Sequence, residues 1–297
     1  MDKLLFDRRC RILVSTPVKS ENDFKTVTAD VLELNGGKTS DKKITGLRVT
    51  FRITKTLKKE PNQAEITVYN LAESTRRSLQ KKGVHIILDA GYQDTGVFRV
   101  FSGHVRTIDH VREGTDWATV FKCGDGERAF RFARVSESFG EGTPVAKVLS
   151  KVVGKLGIDP GNLGNQLADI SGTFDQGYVA SGSTAKVVDE LVESIGKTWS
   201  IQDGVFQLLD KEGTTSDTVF ELTSDSGLIG SPEMGSPDKK GKPSKLKLKS
   251  LLIPMKPGRR IKLRSDRYDG LVRCVACTFT GDTDGGDWYT EIQGSLI

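Results

Sequence analysis

Strict alternation over Leu47–Thr54 restricts this chain more than any other feature. Leu47, Val49, Phe51 and Ile53 fall on one side of an extended segment, and Arg48, Thr50, Arg52 and Thr54 on the other. A period of two suits a strand with one face on a core and one in water, and no helix can satisfy it. Ala64–Tyr69 continues the pattern with Ile66 and Val68, across a polar loop, Lys55–Gln63, that contains Pro61. The two runs read as one long antiparallel hairpin. Arg11–Ser15, Thr26–Leu34, Val84–Ala90, Val97–Val111 and Trp117–Cys123 read as further strands. Glu113-Gly114-Thr115 turns the last two into a hairpin, and Gly103 is where the long Val97–Val111 run should bend. Asn70 is placed to cap a short helix, Leu71–Lys82, that Gly83 ends.

The pattern changes near Gly124. Thr143 is an N-cap candidate with Pro144 at the first helical position, and Val145, Val148, Leu149, Val152, Val153 and Leu156 follow at helical spacing. A second helix starts at Ser183 or Thr184, with Val187, Val188, Leu191, Val192 and Ile195 as its apolar stripe. Thr198–Gln202 and Val205–Leu209 then form a hairpin on the two-residue turn Asp203-Gly204. Strands resume at Val219–Leu222, and Ser224–Lys245 reads as irregular. Leu246–Ile253, Arg260–Arg264, Leu271–Thr280 and Trp288–Ile297 complete the pattern. The last two flank a Gly/Asp loop, and Trp288-Tyr289 gives the return strand a large anchor. The expected fold is mainly β with an α+β insertion: a β-rich stretch at 1–125, a helix–helix–hairpin module at 126–215, and a second β-rich stretch at 216–297.

Composition excludes little. Against 39 acidic residues stand 44 Lys and Arg, a surplus too small to force a nucleic-acid or membrane reading. The surplus is local, in Lys239–Lys249 and Lys256–Arg264. No run approaches the length of a membrane span, and Met1–Arg11 alternates charged and apolar residues, unlike a signal peptide. Cys10, Cys123, Cys274 and Cys277 lack the spacing of a disulfide framework and are expected to be reduced.

Candidate chemistry is sparse. Cys274 and Cys277 form a CxxC inside an apolar strand, without a second ligand pair, and read as core thiols. His104 and His110 lie six apart in one expected strand and so share a face, but no third metal ligand accompanies them. Asp282, Asp284 and Asp287 sit in a glycine-rich loop whose spacing is not that of an EF-hand; a solvated hairpin tip is favoured over Ca²⁺ binding. Glu137 and Glu141 are a second carboxylate cluster. No nucleophile elbow, HExxH, P-loop or dinucleotide fingerprint occurs. The basic stretch Lys239–Arg264 could contact phosphates, but it lacks stacking aromatics; a lysine-guarded edge strand or an acidic protein partner fits it as well.

Four segments, in order along the chain, resemble the baseplate hub proteins of tailed bacteriophages: the late control protein D family and its relatives in contractile injection systems. They are LRVTFRITKTLKKEPNQAEITVYNL (Leu47–Leu71), Val100–Asp125 with its Phe101-Ser102-Gly103, SDSGLIGSP (Ser224–Pro232) with LLIPMKPGRRIKLR (Leu251–Arg264), and the terminal GDTDGGDWYTEI. The resemblance implies two tube-like β-barrel domains, 1–125 and 216–297, flanking the module at 126–215. It also implies a trimeric ring of pseudo-sixfold symmetry that joins the sixfold tail tube to the threefold spike and lines the DNA channel. The implied partners are two further copies of the chain, a central spike protein, tail tube or distal tail proteins and a tape measure protein. DNA is met only in transit, and no membrane, cofactor, metal or catalytic residue is implied. The implied location is the virion, after assembly in the host cytoplasm. On this reading Arg48, Arg52, Lys245, Lys247, Arg259, Arg260, Trp288 and Tyr289 are the expected assembly residues. The alternatives are a nucleic-acid-binding module using Lys239–Arg264 and a tail-associated cell-wall hydrolase.

Overall fold

The structure, a computed structural model, describes residues 7–18, 27–38, 44–79, 83–235 and 245–297. The chain divides into two compact units. The first combines Met1–Lys55, Gln63–Gly124 and Asp217–Ile297; the second combines Thr56–Asn62 with Asp125–Ser216. The fold is mainly β with an α+β insertion, as the alternating runs and the two helical stripes require.

The first unit begins with β1 (Arg8–Val18), β2 (Val27–Lys38), β3 (Ile44–Gly46), β4 (Val49–Thr56), β5 (Gln63–Tyr69), the short helix α1 (Glu73–Ser78), β6 (His85–Tyr92), β7 (Gly96–Glu113) and β8 (Asp116–Gly124). The second unit holds α2 (Glu127–Phe132), β9 (Arg134–Phe139), β10 (Thr143–Pro144), α3 (Val145–Gly154), α4 (Leu163–Leu167), β11 (Thr173–Phe174), β12 (Tyr178–Ser183), α5 (Thr184–Ser194), β13 (Lys197–Gln202) and β14 (Val205–Asp210). The chain then returns to the first unit with β15 (Phe220–Leu222), β16 (Leu228–Met234), β17 (Leu246–Leu251), β18 (Arg260–Ser265), β19 (Tyr268–Asp282) and β20 (Trp288–Leu296).

One 14-stranded sheet runs through the first unit in the order β16-β17-β20-β19-β4-β5-β8-β7-β6-β1-β2-β3, with β18 on β19 and β15 parallel to β18. The joint between its two halves is β19 beside β4. There Thr283 N donates to Val49 O (3.0 Å), Val49 N donates to Thr283 Oγ1 (2.9 Å), and the hydroxyls of Thr54 and Thr278 meet at 3.3 Å. Val49, Phe51 and Ile53 are buried while Arg52 is exposed, as the alternation dictates. They share one core with Ile12, Ile66, Phe101, Phe121, Leu263, Phe279 and Trp288.

Several expectations in this unit need correction. Asn70 does not cap a helix: it adopts φ 56°, donates through Nδ2 to Asp116, and accepts the Trp117 N–H at 3.0 Å. It therefore fixes the start of β8. Helix α1 is shorter than 71–82, its N-cap residue is Ala72, and 80–82 lie outside the described residues. In β7 the irregularities flank Gly103 instead of falling on it, with register shifts at Val100 against β6 and at Arg106 against β8. Gly103 is needed for close approach, since a Cβ there would lie 2.6 Å from the Phe101 ring and 2.7 Å from Gly124 O. The shift at Arg106 also changes the side-chain parity, so His104 and His110 do not share a face. Within the stretch expected to be irregular, β16 pairs with β17 through a register shift between Ile229 and Glu233; residues 236–244 lie outside the described ones.

In the second unit α3 and α5 form on the expected stripes, and Val148, Leu149, Val152, Val153, Val187, Val188, Leu191 and Val192 pack into a second core around Trp199 and Phe206. The α3 N-cap residue is Pro144, not Thr143, whose hydroxyl donates to Gly140 O at 2.7 Å. Asp203 (φ 57°) and Gly204 (φ 81°) make the two-residue turn between β13 and β14. The β9–β12 ribbon was not expected from its small polar residues.

Candidate assembly surface

The terminal hairpin is tied down from two directions. Arg48 grips Asp282 with both arms of its guanidinium, Nη2–Oδ2 at 2.8 Å and Nε–Oδ1 at 3.2 Å, and lies over the Tyr69 ring at 4.8 Å. Burial opposes ionisation of Asp282. The Arg48 guanidinium and the backbone N–H groups of Asp284 and Gly285 outweigh it and hold the carboxyl below its usual range. From the other side Arg8 donates to the carbonyls of Asp282 (3.0 Å), Gly285 and Gly286 (3.0 Å). The tip is thus not a freely solvated loop. Asp282 is an intramolecular partner, Thr283 is buried, and Asp287 is exposed.

The expected assembly residues divide by face. Trp288 is 3% exposed and packs edge to face on Phe51 with centroids 5.4 Å apart, and the Arg8 guanidinium carbon lies 5.5 Å from its ring centre. Its neighbour Tyr289 is half-buried on the opposite face, under the Lys249 ammonium at 3.8 Å. On β17, Leu246 and Leu248 are buried while Lys245 beside them, Lys247 and Lys249 are exposed. Arg52 is exposed opposite Glu65. Arg259 folds back along the surface: its guanidinium donates to Thr218 O (3.3 Å) and Pro254 O (2.8 Å) and covers Phe220, so it is engaged by its own chain. Arg260 stands opposite the buried Arg273 across β18–β19. Lys247 and Lys249 line a depression of about 490 Å³ together with Ile229, Glu233 and Glu291, and Lys249 also covers Tyr289.

The four cysteines are buried. Burial pushes the Cys123 thiol up to about 12, and Cys274 is raised by its hydrogen bond with Cys277 and by burial. Such thiols stay protonated and unreactive. A register shift between Cys274 and Ala276 distorts the CxxC strand. Among the described residues no three or more His, Cys, Asp or Glu side chains are grouped to hold a metal ion. Glu137 is bridged by Lys151 (2.9 Å) and Lys155 (2.8 Å), and Glu141 is exposed.

Two anchoring residues escaped sequence reasoning. Arg8 gave no signal among the alternating charges at the start of the chain. Asp125 is fully buried, and its carboxylate accepts the backbone N–H groups of Asp203 (2.5 Å) and Gly204 (2.8 Å), so it holds the β13–β14 turn. A lone Asp just before a strand-breaking glycine could have been flagged as a turn ligand.

No curated protein sequence matches the chain. Solved structures do match in fold. The 43 kDa tail protein of prophage MuSo2 from Shewanella oneidensis superposes with a TM-score of 0.59 at 10% identity, over 96% of this chain and 96% of that one. The Escherichia coli protein c3393, described as a type VI secretion system component similar in structure to bacteriophage tail proteins, gives 0.54 at 11% identity, over 84% and 73%. A chain of the Francisella PdpA–VgrG complex gives 0.59 at 7% identity, over 97% and 58%. At these identities the likeness is one of fold. The sequence model of the baseplate hub gp41 family matches residues 28–236, more than half of the chain. The chain belongs to the baseplate hub gp41 family of phage tail proteins.

Proposed function

We propose that three copies of this chain form a ring that joins the sixfold tail tube to the threefold central spike of a phage baseplate and lines a channel for DNA. Membership of the hub family over residues 28–236 carries this reading. In it, the stretches 1–125 and 216–297 each supply one tube-like barrel, so three chains present six similar units to the tube. The role is mechanical, without cofactor or catalytic residue. The polar face of the sheet, with Arg52, Thr54 and Glu65 on the β4–β5 hairpin, suits a water-filled lumen, while Val49, Phe51 and Ile53 seal the core. A spike protein is the expected partner below the ring, in keeping with the VgrG complex and the type VI component among the fold relatives. Tail tube or distal tail proteins and the tape measure protein are the expected partners above it. Arg48, Arg52, Lys245, Lys247, Arg260 and Tyr289 are the surface residues through which we expect these contacts; Arg259 supports them by its bonds within the chain and Trp288 from the core. The particle is assembled in the host cytoplasm and becomes part of the virion.

Light scattering on the purified chain tests the ring. A chain of 32.5 kDa predicts a trimer of about 98 kDa. A species that stays monomeric at all concentrations, both alone and mixed with its spike protein, overturns the proposal.

A further inference from the structure

Of the three histidines in the chain, two meet. His85, the first residue of β6, stands directly opposite His104 on β7. Their rings lie edge to face with centroids 5.1 Å apart. Both are half-buried, and both point away from the core, because their neighbours Ile86 and Val105 point into it. Ser102 shares their face, and its hydroxyl lies 3.4 Å from His85 Nε2.

We propose that His85 and His104 form a two-imidazole site for a divalent transition-metal ion of the Zn²⁺, Ni²⁺ or Cu²⁺ class, with water and the Ser102 hydroxyl completing its shell. An imidazole nitrogen holds such an ion at about 2.0–2.1 Å, which puts each ring centre about 3.2 Å from it. A tetrahedral angle, the preference of Zn²⁺, then separates the two ring centres by about 5.2 Å, and the right angle of Ni²⁺ or Cu²⁺ by about 4.5 Å. The observed 5.1 Å lies nearer the tetrahedral value, so the two rings are close enough to share one ion. The charge of Arg99, on the same strand as His104, is offset by Asp89, which accepts its Nε–H at 2.5 Å. Arg11 pairs with the same carboxylate at 2.7 Å. Imidazole donors select this class of ion over Ca²⁺ and Mg²⁺, which take oxygen ligands. A bound ion pins the first residue of β6 to β7, where the β6–β7 ladder ends.

Titration calorimetry of the full chain with ZnCl₂ or NiCl₂ alone tests the site, using wild type, His85→Ala, His104→Ala and His110→Ala. One ion per chain is expected. Either of the first two substitutions should weaken binding by about tenfold or more, a loss that even outer-sphere changes commonly cause. His110→Ala should bind as wild type does. The structure pairs His110 with Thr119 instead, Nδ1 to Oγ1 at 3.1 Å. If an alanine variant fails to fold, Ni²⁺ broadening of the wild-type imidazole NMR signals replaces it: His85 and His104 should broaden, and His110 should not. Absence of saturable binding below about 1 mM metal overturns the proposal. Binding that survives loss of either His85 or His104, or broadening confined to His110, does so equally.

Discussion

Replacing Trp288 by alanine should remove about 3–5 kcal/mol from the stability of the first unit, the range for deleting a fully buried large aromatic. The indole is 3% exposed and opposite Gly281 in the β19–β20 pair. A Cβ on Gly281 would lie only 2.2 Å from the Phe51 ring, so Phe51 lies flush on that glycine and edge-on to the indole. Phe51 cannot fall into the vacated space without leaving Gly281. The cavity should therefore persist, and the cost should sit near the middle of the range. The indole Nε1 is buried without a hydrogen-bond partner, so the loss is one of packing and ring contact alone. Trp288→Phe, which keeps an aromatic edge against Phe51, should cost less than half as much. Urea unfolding followed by near-ultraviolet circular dichroism measures both variants, with an unchanged slope required for the comparison. At about 2–4 °C per kcal/mol, the alanine variant should also melt roughly 8–16 °C lower. A midpoint within about 2 °C of wild type, or equal losses for the two variants, refutes the placement of this side chain in the core.

Arg48→Ala and Asp282→Ala should each be mild, and a double-mutant cycle between them should give a coupling of about 0.2–1 kcal/mol that shrinks with added salt; zero coupling at low salt contradicts the bidentate pair. Because the Asp282 carboxyl is held below its ordinary value of 3.8, its contribution is fully present above that pH and is lost as pH falls through the lower folded value. Melting temperatures of wild type and Asp282→Asn should accordingly converge as the pH falls below about 4, and parallel curves down to acid pH tell against the shift. Asp125→Ala leaves two backbone N–H groups of the Asp203-Gly204 turn without their carboxylate, and should cost the second unit about 2–3 kcal/mol, read by hydrogen exchange at β13 and β14; unchanged protection there would show that the turn does not depend on it. Gly103→Ala, which drives a Cβ to 2.7 Å from Gly124 O, should cost about 1–3 kcal/mol by urea unfolding, and a neutral result would mean the two strands can separate freely at that point.

What could be read from the sequence was whatever repeats locally. The Leu47–Ile53 alternation, the α3 and α5 stripes and the Asp203-Gly204 turn each depend on residues within a few positions of one another, and each is found. What escaped depends on distant partners. Nothing in the composition of β4 tells that its open edge receives β19, since Thr54 and Thr278 are 224 positions apart. A register shift adds one residue to one strand only, so the extra residue at Arg106 is invisible to a period-two count, and the inference that His104 and His110 share a face failed for that reason. The β9–β12 ribbon, RVSESF against YVASGS, has too few large apolar residues to display a period. At the assembly surface, the exposed lysines of β17 were legible because leucines alternate with them. The bonding of Arg259 to its own chain was not, because a side chain's choice between solvent and a carbonyl oxygen leaves no trace in its neighbours.

The joint between β4 and β19 sets the order in which this protein can be made. At about 5–20 residues per second, a ribosome completes β19 roughly 10–50 s after it completes β4. The second unit, encoded almost wholly within Asp125–Ser216, has all its long segments in hand well before then. Throughout that interval β4 carries an unpaired edge, the kind that templates aggregation. Thr50, Arg52 and Thr54 keep one face of that waiting hairpin hydrated, and Pro61 interrupts the loop that follows. Folding of the first unit is therefore a late event that awaits its final third, and a stall or truncation between residues 217 and 282 should leave the insertion folded and the sheet unfinished.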